Sequence, residues 1–199
     1  MIKVTEQIKG LNVLKMLKDS GSIMEGHFKL TSGYHSKYYL QCAQLLQYPD
    51  LTSKIARQAV DILGREIDIE KIKTVISPAV GGILFGYMLA YRMNTKMIFA
   101  ERKNSSMELR RGFKINPGEK IIIAEDVITT GGSVNEVIDI CKDSNARIEA
   151  IISIVDRSYG VKFDFPYFSL IKLNIEKYLP SRCPLCRNNL KIVYPGSKK

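Results

Sequence analysis

The sequence predicts an α/β fold, a doubly wound parallel sheet with a small hood subdomain. Three observations carry that prediction. Apolar, largely β-branched runs at 74–78, 96–100, 121–124 and 148–155 have the pattern of strands buried on both faces. Stretches with helical spacing alternate with them, which implies parallel strands joined by crossover helices. Glycine-bearing or charged loops follow the strand ends, where open α/β sheets place their ligands.

With 199 residues, the chain fits a single domain, 1–199, able to bury a sizeable core. Hydrophobic content of 45% and charged content of 25% are ordinary for a soluble globular protein. No apolar run is long enough to span a bilayer, and the N-terminus lacks the basic-then-apolar layout of a secretory signal, so the expected location is cytoplasmic. A formal charge of +10 suits either nucleic acid or a polyanionic small substrate. No nucleic-acid motif is present, so the expected partners exclude nucleic acid and membrane. A solvated basic surface with one focused anionic site is the preferred account.

In chain order, residues 5–18 carry Ile8, Leu11, Val13, Leu14 and Leu17 at amphipathic spacing, predicting a helix that ends near Ser20-Gly21. Residues 26–40 read as an antiparallel pair around Ser32-Gly33, forming the hood. That hood is drawn from roughly residues 1–45 with 165–199. Tyr38 and Tyr39 serve equally well as hood packing or as the wall of a planar ligand's pocket. Residues 50–65 follow as a helix with Ile55, Ala56, Val60 and Ile62 toward the core.

The strand at 74–78 enters Ala79-Val80-Gly81-Gly82 and then a helix over 83–93, a strand–loop–helix unit that suits an anion. Its glycines suit close helix–sheet packing equally well. Residues 101–112 are polar with four basic side chains, and part of the stretch reads as a mobile loop, either a cationic lid or a solvated charge run. Asn116-Pro117-Gly118-Glu119 is a turn into the strand at 121–124. After a helix over 134–141, the strand at 148–155 delivers Arg157 just past its carboxyl end. Arg157 there has two uses: holding a ligand carboxylate through paired hydrogen bonds, or pairing with Asp156 or Asp164. Residues 165–173 resemble an edge strand.

Four cysteines, Cys42, Cys141, Cys183 and Cys186, do not form the framework of a secreted protein of this length. Cys183-Pro184-Leu185-Cys186 has zinc-knuckle spacing, yet a structural zinc normally takes four ligands. No second cysteine pair exists, and His27 and His35 are distant in sequence. A reduced thiol pair in a C-terminal turn is therefore expected in preference to a metal or redox site.

The most informative stretch is 121–133. Four apolar residues lead into Glu125-Asp126-Val127-Ile128, and then into Thr129-Thr130-Gly131-Gly132-Ser133 at the start of a helix. Glycines and helix-start amides suit a phosphate, with hydroxyl donors beside them. The two carboxylates suit sugar hydroxyls or a cation. A nucleotide P-loop is excluded because no Gly-Lys-Ser/Thr follows, and the spaced Gly-x-Gly-x-x-Gly of dinucleotide sites is missing.

This stretch resembles the phosphoribosyl pyrophosphate (PRPP) signature of type I phosphoribosyltransferases. The resemblance to their orotate phosphoribosyltransferases extends over most of the chain. It includes Leu30-Thr31-Ser32-Gly33, Tyr39-Leu40-Gln41, Ser77-Pro78-Ala79 with Gly81-Gly82, Glu101-Arg102, Leu109-Arg110-Arg111-Gly112-Phe113 and Asp156-Arg157-Ser158.

The resemblance implies a type I phosphoribosyltransferase fold and transfer of phosphoribose from PRPP to orotate, yielding orotidine 5′-monophosphate and pyrophosphate. It implies Glu125, Asp126, Arg102 and Lys103 as catalytic residues. PRPP would be bound by Ala79, Val80, Gly81, Gly82, Glu125, Asp126, Val127, Ile128 and Thr129 to Ser133, that is Thr129, Thr130, Gly131, Gly132 and Ser133. Orotate would be bound by Thr129, Arg157 and Tyr39. Mg²⁺ is the implied cofactor, held through PRPP and water rather than by a protein metal site. A homodimer with a shared active site is implied, its lid reaching into the partner. The lid lacks the histidine that many family members carry. A phosphoribosyltransferase acting on a purine or uracil, and a PRPP-sensing regulator that binds nucleic acid, are the competing readings.

Overall fold

Residues 3–6 and 12–195 are described by the structure, a computed structural model. Its main sheet forms around β7 (Lys120–Ile128). Ile121, Ile122, Ile123 and Ala124 are all fully buried there. Successive strand residues point to opposite faces. Ile122 and Ala124 thus join one core with helices α3 (Pro49–Glu66) and α4 (Gly82–Met93), while Ile121 and Ile123 join the other with α5 (Gly132–Asp143). Each such isoleucine contributes about 1.5–3 kcal/mol of burial free energy. A continuous apolar run is what a strand covered on both sides requires.

Seven strands make the sheet, in the order β1-β9-β8-β7-β4-β5-β6. They are β1 (Lys3–Glu6), β4 (Thr74–Pro78), β5 (Lys96–Lys103), β6 (Ser106–Leu109), β7, β8 (Arg147–Asp156) and β9 (Tyr167–Asn174). The five from β9 to β5 are parallel, and β1 and β6 close the two edges antiparallel. Strand order reverses between β4 and β7. A crevice opens at such a switch point, outside the strands' carboxyl ends. The loops after β4 and β7 flank it, and both begin a helix. A separate hairpin of β2 (Ile23–Lys29) and β3 (His35–Leu40) forms the hood.

Three expectations are corrected. Residues 5–6 belong to β1, and the helix expected over 5–18 is α1 (Val13–Asp19); residues 7–11 of that expectation lie outside the described residues. Asn12 sets the helix start, its side chain accepting the Lys15 N–H at 2.7 Å. Secondly, β9 is flanked by β8 and β1, so it is not an edge, and both β1 and β9 leave the hood for the main sheet. The hood is narrower than 1–45 with 165–199: the hairpin plus the chain that follows β9. Thirdly, the stretch 101–112, expected in part as a mobile loop, is largely a β-hairpin, pairing Arg102 with Met107 and Lys103 with Ser106. Asn104, at φ 56°, makes its turn, a left-handed position that asparagine tolerates better than most residues.

Candidate active site

Glu125 and Asp126 sit where β7 leaves the core. Glu125 is 8% exposed and Asp126 half-buried. Backbone amides hold both side chains: the Asp126 N–H donates to Glu125 Oε1 at 3.0 Å, and the Val127 N–H to Asp126 Oδ1 at 2.9 Å. Burial, and then the neighbouring Asp126 charge, push the Glu125 carboxyl well above the usual carboxylate range.

The loop after β4 packs directly on this pair. A Cβ placed on Gly81 would come 2.6 Å from Asp126 Oδ1, and one on Gly82 would come 2.9 Å from the Ala124 carbonyl oxygen. At Gly82 only hydrogen fits against the fixed backbone, and at Gly81 a side chain would have to displace the Asp126 carboxylate, which is why the backbone of 79–82 can approach the two acids so closely.

Gly131 sits at φ 79° and caps α5. A Cβ there would meet Val161 Cγ2 at 2.9 Å and Phe163 Cζ at 3.1 Å, so conformation and space both require glycine. Thr129, Thr130, Gly132 and Ser133 remain exposed around a polar hollow of about 50 Å³ reaching Glu125. The free amides of a three-turn helix point into such a hollow and favour an anion.

Thr129 and Thr130 also border a larger cavity of about 560 Å³ beneath the hood. Tyr39, Arg157, Lys177, Lys29, Thr31 and Tyr194 contribute to its wall. Tyr38 instead packs against the main core, which divides the roles of the two tyrosines. The Arg157 N–H donates to the Ile128 carbonyl at 2.8 Å, tying the arginine to the end of β7. Among the described residues no carboxylate lies within ion-pair distance of its guanidinium. Asp156 is engaged by Lys172 at 3.5 Å and by the Ser158 N–H at 2.7 Å, so the alternative Arg157–Asp156 pair does not form. Burial lowers the pKa of Arg157, and burial together with the Arg157 charge lowers that of Lys177. Two cations lining one cavity, Arg157 partly buried and Lys177 exposed, favour an anionic occupant.

Lys177 is the functional candidate that sequence reading missed. It follows β9 in a stretch with no motif, and only the fold brings it beside Arg157.

Arg102 and Lys103 lie elsewhere. Both guanidinium amines of Arg102 bond Glu136 on α5. Arg110 and Arg111 pair with Glu101 at 3.5 and 3.0 Å. Lys103, beside the hairpin turn, has no ion-pair partner among the described residues. Neither Arg102 nor Lys103 lines either cavity.

Residues 41–182 match the family model of the phosphoribosyl transferase domain. The orotate phosphoribosyltransferase of Caldicellulosiruptor saccharolyticus is 49% identical over 187 residues, 94% of this chain and 96% of that protein. That of Thermotoga maritima is 43% identical, covering 94% and 98%. Among solved structures, the orotate phosphoribosyltransferase from Aeropyrum pernix superposes with a TM-score of 0.64 at 24% identity, over 79% of this chain and 92% of that one. An adenine phosphoribosyl transferase from Trypanosoma brucei, in complex with AMP, pyrophosphate and ribose-5-phosphate, gives 0.62 at 15% identity, covering 84% and 82%. These two structural likenesses show the fold.

Proposed function

The chain belongs to the phosphoribosyltransferase family, among its orotate phosphoribosyltransferases, and from that membership we infer its reaction and the residues that perform it. It transfers the 5-phosphoribosyl group from PRPP to orotate, giving orotidine 5′-monophosphate and pyrophosphate in pyrimidine (UMP) biosynthesis. One observation carries the assignment of roles: the hollow at Gly131 and the cationic cavity at Arg157 share Thr129 and Thr130, so a phosphate and a ring carboxylate have adjoining seats.

In this reading the amides and hydroxyls of Thr129 to Ser133 hold the 5-phosphate. Glu125 and Asp126 accept the ribose hydroxyls. Fixing the phosphate at one end aligns C1 of the sugar at the other. As the bond from C1 to pyrophosphate lengthens, positive charge grows on the sugar, and the acidic pair stabilises it electrostatically. The tight 79–82 backbone receives the departing pyrophosphate. Arg157 grips the orotate carboxylate, Thr129 adds a hydroxyl contact, and Tyr39 packs beside the ring.

Asp126 and Glu125 offer hard oxygen donors beside the 79–82 loop, which suits Mg²⁺. They are too few for a protein cage, so PRPP oxygens and water would complete the shell of such an ion. Bound there, Mg²⁺ supplies Lewis-acid stabilisation of the leaving anion.

A homodimer completes the site. Leu84, Tyr87 and Tyr91 recur at helical spacing along α4, all exposed, with Val80 82% exposed beside them. Such an apolar stripe supports a second copy covering this face, next to the pyrophosphate loop. The engagement of Arg102 by Glu136, with neither Arg102 nor Lys103 lining the two cavities, supports a lid supplied by the partner. No helix among the described residues is long and apolar enough to cross a membrane, and the cytoplasm remains the proposed location.

The test is spectrophotometric. Orotate absorbance should fall on mixing chain, PRPP and Mg²⁺, and stay constant when any of the three is omitted. Consumption of adenine or uracil in place of orotate would reassign the base.

A further inference from the structure

The hood carries a four-ligand cluster outside the active site. His27 on β2 and His35 on β3 meet Cys183 and Cys186, which bracket the start and middle of α6 (Pro184–Arg187). Their ligand atoms all lie within 4.8 Å of one another. Cys186 Sγ is 3.3 Å from His35 Nδ1 and 3.6 Å from His27 Nε2, and Cys183 Sγ is also 3.6 Å from His27 Nε2. For Zn–S near 2.3 Å and Zn–N near 2.05 Å, tetrahedral geometry puts a sulfur and a nitrogen about 3.6 Å apart. The histidines, distant in sequence, are therefore adjacent in the fold, which removes the ground for reading Cys183 and Cys186 as a simple thiol pair.

His27 Nδ1 lies 2.8 Å from the Leu190 carbonyl, which fixes its proton on Nδ1 and leaves Nε2 bare. That single lone pair faces three neighbours: His35 Nδ1 at 2.9 Å and both sulfurs. A cation at the centre uses all four groups at once.

We propose that His27, His35, Cys183 and Cys186 form a closed structural zinc site. Two sulfurs and two nitrogens in a tetrahedral array select Zn²⁺ over the oxygen-preferring Mg²⁺. On binding, both thiols release their protons. Four protein ligands leave no open position, and His27 and Cys183 are almost fully buried, so the ion staples rather than catalyses. It joins the hood hairpin to the C-terminal segment, whose Tyr178 and Val193 already bond the backbone of His35 and His27. Lys177 and Tyr194, adjacent to those anchor points, are thereby held at the substrate cavity.

The experiment is metal analysis of the whole chain purified without added zinc, alongside chain loaded with Co²⁺. We expect about one zinc per chain. The cobalt form should show the visible bands of a tetrahedral site with thiolate-to-metal charge transfer. The double variant Cys183→Ser, Cys186→Ser should lose metal and melt lower, while Cys141→Ala, altered far from the hood, should retain it. If the double variant fails to fold, the cobalt spectrum of the unaltered chain decides. Absence of bound zinc and cobalt, an octahedral thiolate-free spectrum, a Cys183–Cys186 disulfide in the fresh protein, or metal retained by the folded double variant would each overturn the site. Orotate turnover is a separate readout, so failure here leaves the assigned reaction standing.

Discussion

Glu125 titrates where its burial puts it. Its folded pKa lies above the unfolded value of 4.5, so the folded chain binds the proton more tightly than the unfolded one. That contribution to stability is whole below the unfolded value and is lost as pH rises through the folded one. Glu125→Gln should therefore melt above the parent at about pH 8, with the two converging toward about pH 4. A parallel pair of melting curves would contradict the burial account. Asp126→Asn should keep the fold and lose turnover on the order of 10²-fold, measured as initial rate. Arg157→Ala should raise the orotate KM by about 10- to 100-fold, the worth of a charge-assisted hydrogen bond, and leave the PRPP KM nearly unchanged. Equal changes for both substrates would remove the carboxylate-binding role. Arg157 was legible because a strand end announces itself in sequence. Lys177 was not, since its approach to Arg157 depends on a sheet neighbour and a hood contact far apart in the chain.

Elements divide between those that position chemistry and those that hold the sheet. The glycines after β4 separate the two. Gly81→Ala meets the movable end of Asp126, so it should displace that carboxylate and lower turnover with little change in melting. Gly82→Ala meets the Ala124 backbone carbonyl and should destabilise the β4–β7 junction itself. At the opposite end of the sheet, Glu119 accepts from Thr74 and from Lys96 at 2.8 Å, and from the Asn116 N–H and side-chain amide, both at 2.9 Å. Burial opposes its charge, but Lys96 and Thr74 prevail and hold it at about 2. Its stabilisation is present above the unfolded carboxylate value and disappears as pH falls toward about 2. Glu119→Gln should cost about 1–3 kcal/mol by denaturant unfolding at neutral pH, and less in acid. The parallel strands and their helices were legible because they are continuous apolar runs separated by helical spacing. The hairpin at Asn104 was not: residues 102–106 face solvent and only Met107 and Leu109 pack on the core, so charge rather than period-2 alternation dominates their pattern. β1 was hidden for a related reason, being an edge of four residues recognised only by pairing with β9.

At the scale of the whole molecule, the proposed function rests on two assemblies: hood to sheet, and the proposed pairing of chain with chain. The signature at 125–133 was readable as a unit because one strand–turn–helix carries it. The four-ligand cluster in the hood was not, because His35 and Cys183 are 148 positions apart in the chain and only tertiary structure closes that gap. If the partner's hairpin completes each site, then mixing and re-pairing Asp126→Asn chains with Lys103→Ala chains restores one intact site per heterodimer. Activity should recover to about a quarter of the parent level, since half the dimers are mixed and each has one good site of two. No recovery would place the lid in its own protomer. The measurement that bears most directly on the whole account is a crystal structure of the chain with orotidine 5′-monophosphate bound. The account predicts the phosphate on the amides of Thr130 to Ser133, the ribose hydroxyls on Glu125 and Asp126, and the ring carboxylate on Arg157. A nucleotide seated outside this cleft, or turned so that its phosphate meets Arg157, would contradict it.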